Sequence, residues 1–174
     1  MSGRRPPQAP DMPARAEALI RRLDLQPHPE GGHYRRIHPL PQPAQRGALS
    51  AIHFLLPAGE VSAWHRVDAE EVWHYVEGDP LELLIYRPEL GTLRRLRLGP
   101  LPERGEAQSL LGMVPAGAWQ AARPLGAYTL CSCLVAPAFE FAGFSLVEDA
   151  ALARRLAALA PDFPVAVEPA HDSR

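Results

Sequence analysis

The chain has 174 residues, 20 acidic and 18 basic side chains, and a formal charge of −2. That length suits one domain with a core of its own, and a hydrophobic share of 47% excludes wholesale disorder. Near-neutral charge argues against a nucleic-acid binder, no run reaches the roughly 18 to 20 apolar residues that span a bilayer, and Met1-Ser-Gly-Arg-Arg is not the start of a secretory leader.

A cytoplasmic protein with neither nucleic acid nor membrane as partner is therefore expected. Every Lys or Arg position is an arginine, which excludes mechanisms that need a lysine Schiff base, a lysine acid or a lysine phosphate clamp. Cys131 and Cys133 share one face of a strand-like run and read as two buried, reduced thiols.

In chain order, residues 1–10 are polar and proline-rich and are expected to be a disordered tail. Asp11 can cap a helix in which Ala16, Leu19, Ile20 and Leu23 form one apolar stripe. Leu25-Gln-Pro-His-Pro-Glu-Gly-Gly ends it. Strand patterns follow over 51–56, 71–76, 81–86, 92–98, 109–114, 128–135 and 141–147, separated by glycine-rich turns. Many short strands at such spacing indicate an all-β sandwich or barrel. Asp149 to Leu159 reads as a second helix, with Leu152, Leu156 and Leu159 aligned. The expected organisation is a single domain over 11–160 and a tail over 161–174.

The densest polar and aromatic segment runs from Gly59 to Gly78. On a strand, Glu71, Trp73 and Tyr75 share one face, and Val72, His74 and Val76 take the other. A solvated outer face is the bland reading. Trp and Tyr are costly to leave in water, so a pocket wall is preferred.

The spacing Gly59, His65, Val67, Glu71, Gly78 resembles the first motif of the cupin superfamily, with Val67 where a second histidine usually stands. Pro115-Ala-Gly117-Ala-Trp-Gln120 resembles the second motif, with Gln120 in the histidine position. Leu25-x-Pro-His-Pro-Glu-Gly-Gly-x-Tyr34-Arg35, Trp64-His-Arg-x-Asp, Glu71-x-Trp-His, Gly78-Asp-Pro-Leu, Val114-Pro-Ala-Gly-x-Trp-Gln-Ala-Ala and Cys133-x-Val-Ala-Pro-x-Phe-x-Phe are together similar to the fifth cupin family, a domain family of unknown function. That resemblance implies a cupin-type antiparallel jelly-roll barrel with an N-terminal and a short C-terminal helix, and a homodimer. It implies no reaction.

Standard cupins hold a metal with three histidines and one glutamate. The matching set here is His65, Val67, Glu71 and Gln120, which offers one imidazole, one carboxylate and a weak amide oxygen. No metal or other cofactor is expected, with a weak divalent site at His65, Glu71 and Gln120 left open. Without metal, His65 and Glu71 are candidates for a catalytic acid–base pair, since a carboxyl in an aromatic-walled barrel loses hydration and its pKa rises. The competing reading makes His65 a structural histidine and Glu71 the partner of Arg66 or Arg35.

Gln120, Tyr34, Arg35, Trp73, Tyr75 and Trp119 are the candidate binding residues. Arg35 can receive an anion bidentately, and the Glu30–Arg35 arm suits a pocket rim or a dimer interface equally. His28, His33, His38 and His53 lie outside the motif and are given no role. The functional expectation is a small-molecule pocket in the barrel that serves a metal-independent isomerase or epimerase of a sugar-like substrate. The alternative is a non-catalytic cupin that binds a sugar or nucleobase.

Overall fold

A computed structural model describes residues 12–38, 45–102 and 108–165. Helix α1 (Ala14–Leu23) leads into β1 (Gln26–Pro27), β2 (His33–His38), β3 (Ser50–Pro57), β4 (Ser62–Val67), β5 (Glu70–Gly78), β6 (Leu81–Arg87) and β7 (Thr92–Leu98). The chain continues through β8 (Leu111–Val114), β9 (Trp119–Pro124), β10 (Tyr128–Ala136), β11 (Phe144–Leu146) and α2 (Ala150–Leu159). The expected tail at 1–10 and the capping Asp11 lie outside the described residues.

Two antiparallel sheets face each other, ordered β1-β2-β3-β10-β5-β8 and β11-β4-β9-β6-β7. This is the jelly-roll arrangement, and neighbouring strands come from distant parts of the chain. Expected strands match β3, β5, β6, β7, β8 and β10 to within a few residues. The expected strand at 141–147 is instead a 3-10 turn (Phe141–Gly143) followed by the short β11. The β1–β2 pair has no counterpart among the expected strands. Its residues, including His33-Tyr-Arg-Arg-Ile-His38, carry too little apolar alternation to declare a strand, and β3 recruits them along its edge through Tyr34↔Phe54 and Arg36↔Ile52.

Three apolar layers follow from the alternation of side chains along the strands. Phe54, Leu56, Trp73, Leu83, Ile85, Leu98 and Cys131 fill the space between the sheets. Leu84, Tyr86, Trp64 and Trp119 point the other way, from the outer face of the five-stranded sheet onto Leu156 and Ala153 of α2. Both faces of β6 are thus covered, which is why Leu81–Tyr86 is a nearly unbroken apolar run. Leu19 and Ala16 of α1 pack on Leu55 and Leu130 of the six-stranded sheet.

Helix α1 starts after Pro13 with no side-chain cap. Asp149 caps α2 by accepting from the Ala151 N–H at 2.7 Å, and Asp24 closes α1 in the left-handed region at φ 52°. Residues 161–165, expected to begin a tail, are instead packed. Phe163 is buried against Trp64 and Asp162 pairs with Arg95 and Arg123. Cys131 and Cys133 are free and buried. Among the described residues no helix is long and apolar enough to cross a membrane.

Candidate functional site

One end of the barrel encloses a cavity of about 490 Å³. Its walls are Tyr34, Ile52, Phe54, Val67, Trp73, Cys133, Val135, Phe139 and Phe141, and its polar groups are His28, Glu30, Arg36, Ser50, His65, Glu71 and Glu140. Its size and mixture of apolar walls with a few convergent polar groups are typical of small-molecule sites.

His65 and Glu71 come from opposite sheets. His65 of β4 pairs with Gln120 of β9 in the five-stranded sheet, and Glu71 of β5 faces them from the six-stranded sheet, in register with Val135 and Val114. Both line the cavity and both are buried, at 2% and 6% exposure. Gln120 sits behind Glu71 rather than in the wall. The Trp73 indole N–H donates to its Oε1 at 2.8 Å, and its Nε2 donates to Glu71 Oε2 at 2.6 Å. An indole N–H can only donate, so the orientation of the amide is determined.

The turn between β1 and β2 supplies what the motif reading lacked. His28 N–H donates to Gly32 O and Gly31 N–H to His28 O, both at 3.0 Å. Gly31 and Gly32 take φ of +104° and +71°, and a Cβ on Gly31 would overlap the Val61 carbonyl. Only glycine fits so close a crossing at positive φ. The turn is then pinned to β4, with Ala63 N–H donating to Glu30 O at 2.7 Å and Ser62 Oγ to Glu30 Oε1 at 2.8 Å.

Glu30 Oε2 thereby lies 3.3 Å from His65 Nε2 and 3.5 Å from His28 Nδ1. His65 Nδ1 is 2.8 Å from Ala63 O. A carbonyl only accepts, so Nδ1 carries the proton and neutral His65 turns a lone pair on Nε2 toward Glu30. His28 Nδ1 accepts from the Glu30 N–H at 3.3 Å, so it too turns a lone pair toward the carboxyl. A carboxylate there would face two lone pairs; a protonated Glu30 satisfies His65.

Electrostatics agree with that geometry. Burial pushes Glu30 up to about 8, against the Ser62 hydrogen bond that opposes it. Burial also pushes Glu71 up to about 7, partly offset by His65 and by the Gln120 amide and reinforced by Glu30. Burial lowers His65, with Glu71 acting against it, and lowers His28 to about 4. Protons in this group therefore reside on carboxyls more than on imidazoles at neutral pH.

The other candidate residues divide by strand parity. Tyr34 and Trp73 line the cavity. Arg35, one residue on from Tyr34, points away and pairs with Asp24 at 3.3 Å; Arg36, one further, returns to the cavity. Trp119 does not line it, since it neighbours the inward Gln120 and so faces α2, under the Arg66 guanidinium at 5.2 Å. Tyr75 has the same facing as Trp73 but lies further along β5, against the apolar core, with its hydroxyl donating to Gly78 O at 2.6 Å. Glu71 pairs with neither Arg66 nor Arg35. His28, given no role from sequence, is part of the site. The signal that could have found it is its place two residues before Glu30, in the turn closed by Gly31 and Gly32.

The metal set of standard cupins does not fit these residues. Val67 offers no donor, and the Gln120 oxygen is committed to the Trp73 N–H. Among the described residues no three of His, Cys, Asp and Glu are arranged to hold a metal ion.

Residues 17–147 match the model of a family described as cupin superfamily (DUF985). A hypothetical protein from Leishmania major is 31% identical over 88% of this chain and 99% of its own, with a TM-score of 0.69. A protein of known crystal structure from Shewanella oneidensis is 32% identical over 84% of this chain and 90% of its own, with a TM-score of 0.71. Oxalate decarboxylase from Bacillus subtilis is similar in fold alone, at 15% identity over 83% of this chain and 35% of its own, with a TM-score of 0.56. No curated protein matches the sequence.

Proposed function

The chain belongs to the DUF985 family of the cupin superfamily, and from that premise we propose that its barrel binds a small polar molecule and moves a proton on it without a metal. The reading is of the isomerase or epimerase kind, on a sugar-like substrate with an acidic C–H beside a carbonyl. One observation carries it: Glu30, His65 and Glu71 form a buried acid–base group that faces a cavity and, among the described residues, pairs with no arginine.

In this reading Glu71 is the base. Gln120 holds its Oε2, which leaves Oε1 without a hydrogen-bond partner among the described residues, and a pKa of about 7 places it between acid and base at neutral pH. Glu71 removes the proton from carbon, and the electron pair moves to the carbonyl oxygen. Glu30, protonated and in contact with His65 Nε2, supplies through that pair a proton to the oxygen. An enediol results, and delivery of the Glu71 proton to the former carbonyl carbon, with loss of the neighbouring hydroxyl's proton to the Glu30–His65 pair, completes the shift. The chain has no lysine to stabilise an enolate, so protonation of the oxygen takes that part.

The test is deuterium exchange. Small hydroxy-aldehydes and hydroxy-ketones incubated with the protein in D₂O are followed by proton NMR. Enzyme-dependent loss of one C–H signal, absent in Glu71→Gln and in His65→Ala, is expected. The mostly apolar walls also suit a binding module; retention of a ligand with no exchange at any C–H would select that second reading.

A further inference from the structure

Carboxyl groups outnumber arginines among the described residues that line the cavity. Glu30, Glu71 and Glu140 reach it from three separate segments, while Arg36 is the single arginine among its lining residues. Arg36 is already engaged, since its Nη2 donates to Phe139 O at 2.8 Å and its guanidinium lies 5.8 Å from the Phe139 ring centre. Glu71 is more than nine-tenths buried, yet its Oε1 has no partner among the described residues. Buried carboxyls ordinarily stay ionised only with a cation beside them, and the described chain supplies none to Glu71.

The walls offer what an organic cation needs. Tyr34, Phe54, Trp73, Phe139 and Phe141 line the same cavity as the carboxyls. Phe139 and Phe141 meet edge to face, with centroids 5.1 Å apart at 82°, so their π-faces are presented in different directions. Phe141 is 57% exposed, so its ring at the cavity wall remains reachable from solvent. Aromatic faces around carboxylates are the arrangement that recognises ammonium groups.

We propose that the substrate of this cavity carries a positively charged ammonium group, seated among the Phe139, Phe141 and Tyr34 rings with Glu71 and Glu140 as counter-charges. The inference rests on the proton-transfer reading of the same site and narrows its substrate class to small amines or quaternary ammonium compounds. A phosphorylated or nucleotide-linked sugar would bring its anion against Glu71 and Glu140 and is not the class proposed. A cation beside Glu71 favours its ionised form, so binding would also prepare the base.

Calorimetry on the full chain at pH 7 tests this with paired probes: choline against its neutral isostere 3,3-dimethylbutan-1-ol, and glucosamine against glucose, with glucose 6-phosphate as the anion. At least one cation is expected to bind tenfold or more tightly than its neutral partner, and the phosphate not to bind. Glu71→Gln should reduce the cation-to-neutral ratio several-fold. Phe141→Leu, at an exposed position where folding is not at stake, should do the same by removing a π-face and keeping apolar bulk. Equal or tighter binding of the neutral partner in both pairs overturns the proposal, as does a ratio unchanged in both variants. Neutral sugar that binds and exchanges its C–H would leave the proton-transfer reading standing alone. Failure of every probe to bind overturns both. Zinc or manganese bound stoichiometrically and displacing choline would reassign the carboxyls to a metal and overturn the cation proposal.

Discussion

Gln120 reaches across the barrel and donates a 2.6 Å hydrogen bond to Glu71. The same amide accepts from Trp73, so one fully buried side chain ties the two sheets together where a cupin motif usually has a metal-binding histidine. Gln120→Leu would orphan the Trp73 N–H and one oxygen of Glu71. Each orphaned buried group costs roughly 1 to 3 kcal/mol, so a loss of about 3 kcal/mol in urea unfolding is expected. A change below about 1 kcal/mol would show that the bridge contributes little.

Stability should fall as pH rises above about 6.5. A free glutamate titrates near 4.5, and folded Glu30 and Glu71 are held up at about 8 and about 7. Between those limits these two groups bind more protons in the folded chain than in the unfolded one. The favourable contribution is therefore complete below about 4.5 and is lost as pH rises through 7 and 8. Denaturant midpoints should change little between pH 5 and about 6.5, where the lowered His28 and His65 act in the opposite sense, and should decline from there to pH 9, less steeply in Glu30→Gln. Parallel slopes for the two proteins would contradict the placement of that proton.

Restoring imidazoles should restore a metal site. Val67→His with Gln120→His recreates the three-histidine, one-glutamate set of standard cupins around the existing His65 and Glu71. Affinity for zinc or manganese is expected to rise at least about tenfold over the natural chain. Elemental analysis after dialysis measures it, and one tightly held ion per natural chain would reverse the conclusion drawn from Val67 and Gln120.

The β1–β2 turn should be intolerant of a side chain. Gly31→Ala places a Cβ against the Val61 carbonyl at a φ of +104°, which costs about 2 kcal/mol or more. The turn would shift Glu30 away from His65, so ligand binding or exchange activity should fall more than in Gly117→Ala, where a Cβ meets nothing within 4 Å. Equal effects at the two glycines would deny the turn its part in the site.

Period-two alternation is a local property, and it carried much of the fold. It located β3, β5, β6, β7, β8 and β10, and put Glu71 and Trp73 on one face with His74 on the other. Properly applied it also separates Trp119 from Gln120, adjacent residues that cannot both face a cavity. Motif spacing brought His65, Glu71 and Gln120 toward one site. The partners of those residues depended on chain crossings that no spacing encodes. Which sheet each strand joins decided that His65 and Gln120 are neighbours and that Glu71 faces them. The close passage of Gly31 over Val61 brought Glu30 and His28 to His65 from more than 30 residues away. Docking of α2 gave Trp119 an apolar surface outside the barrel, and with it a reason to be there. The physical distinction is one of range: side-chain direction follows from the backbone of a single strand, whereas the protonation of Glu30 follows from desolvation and lone pairs that exist only once distant segments are packed together.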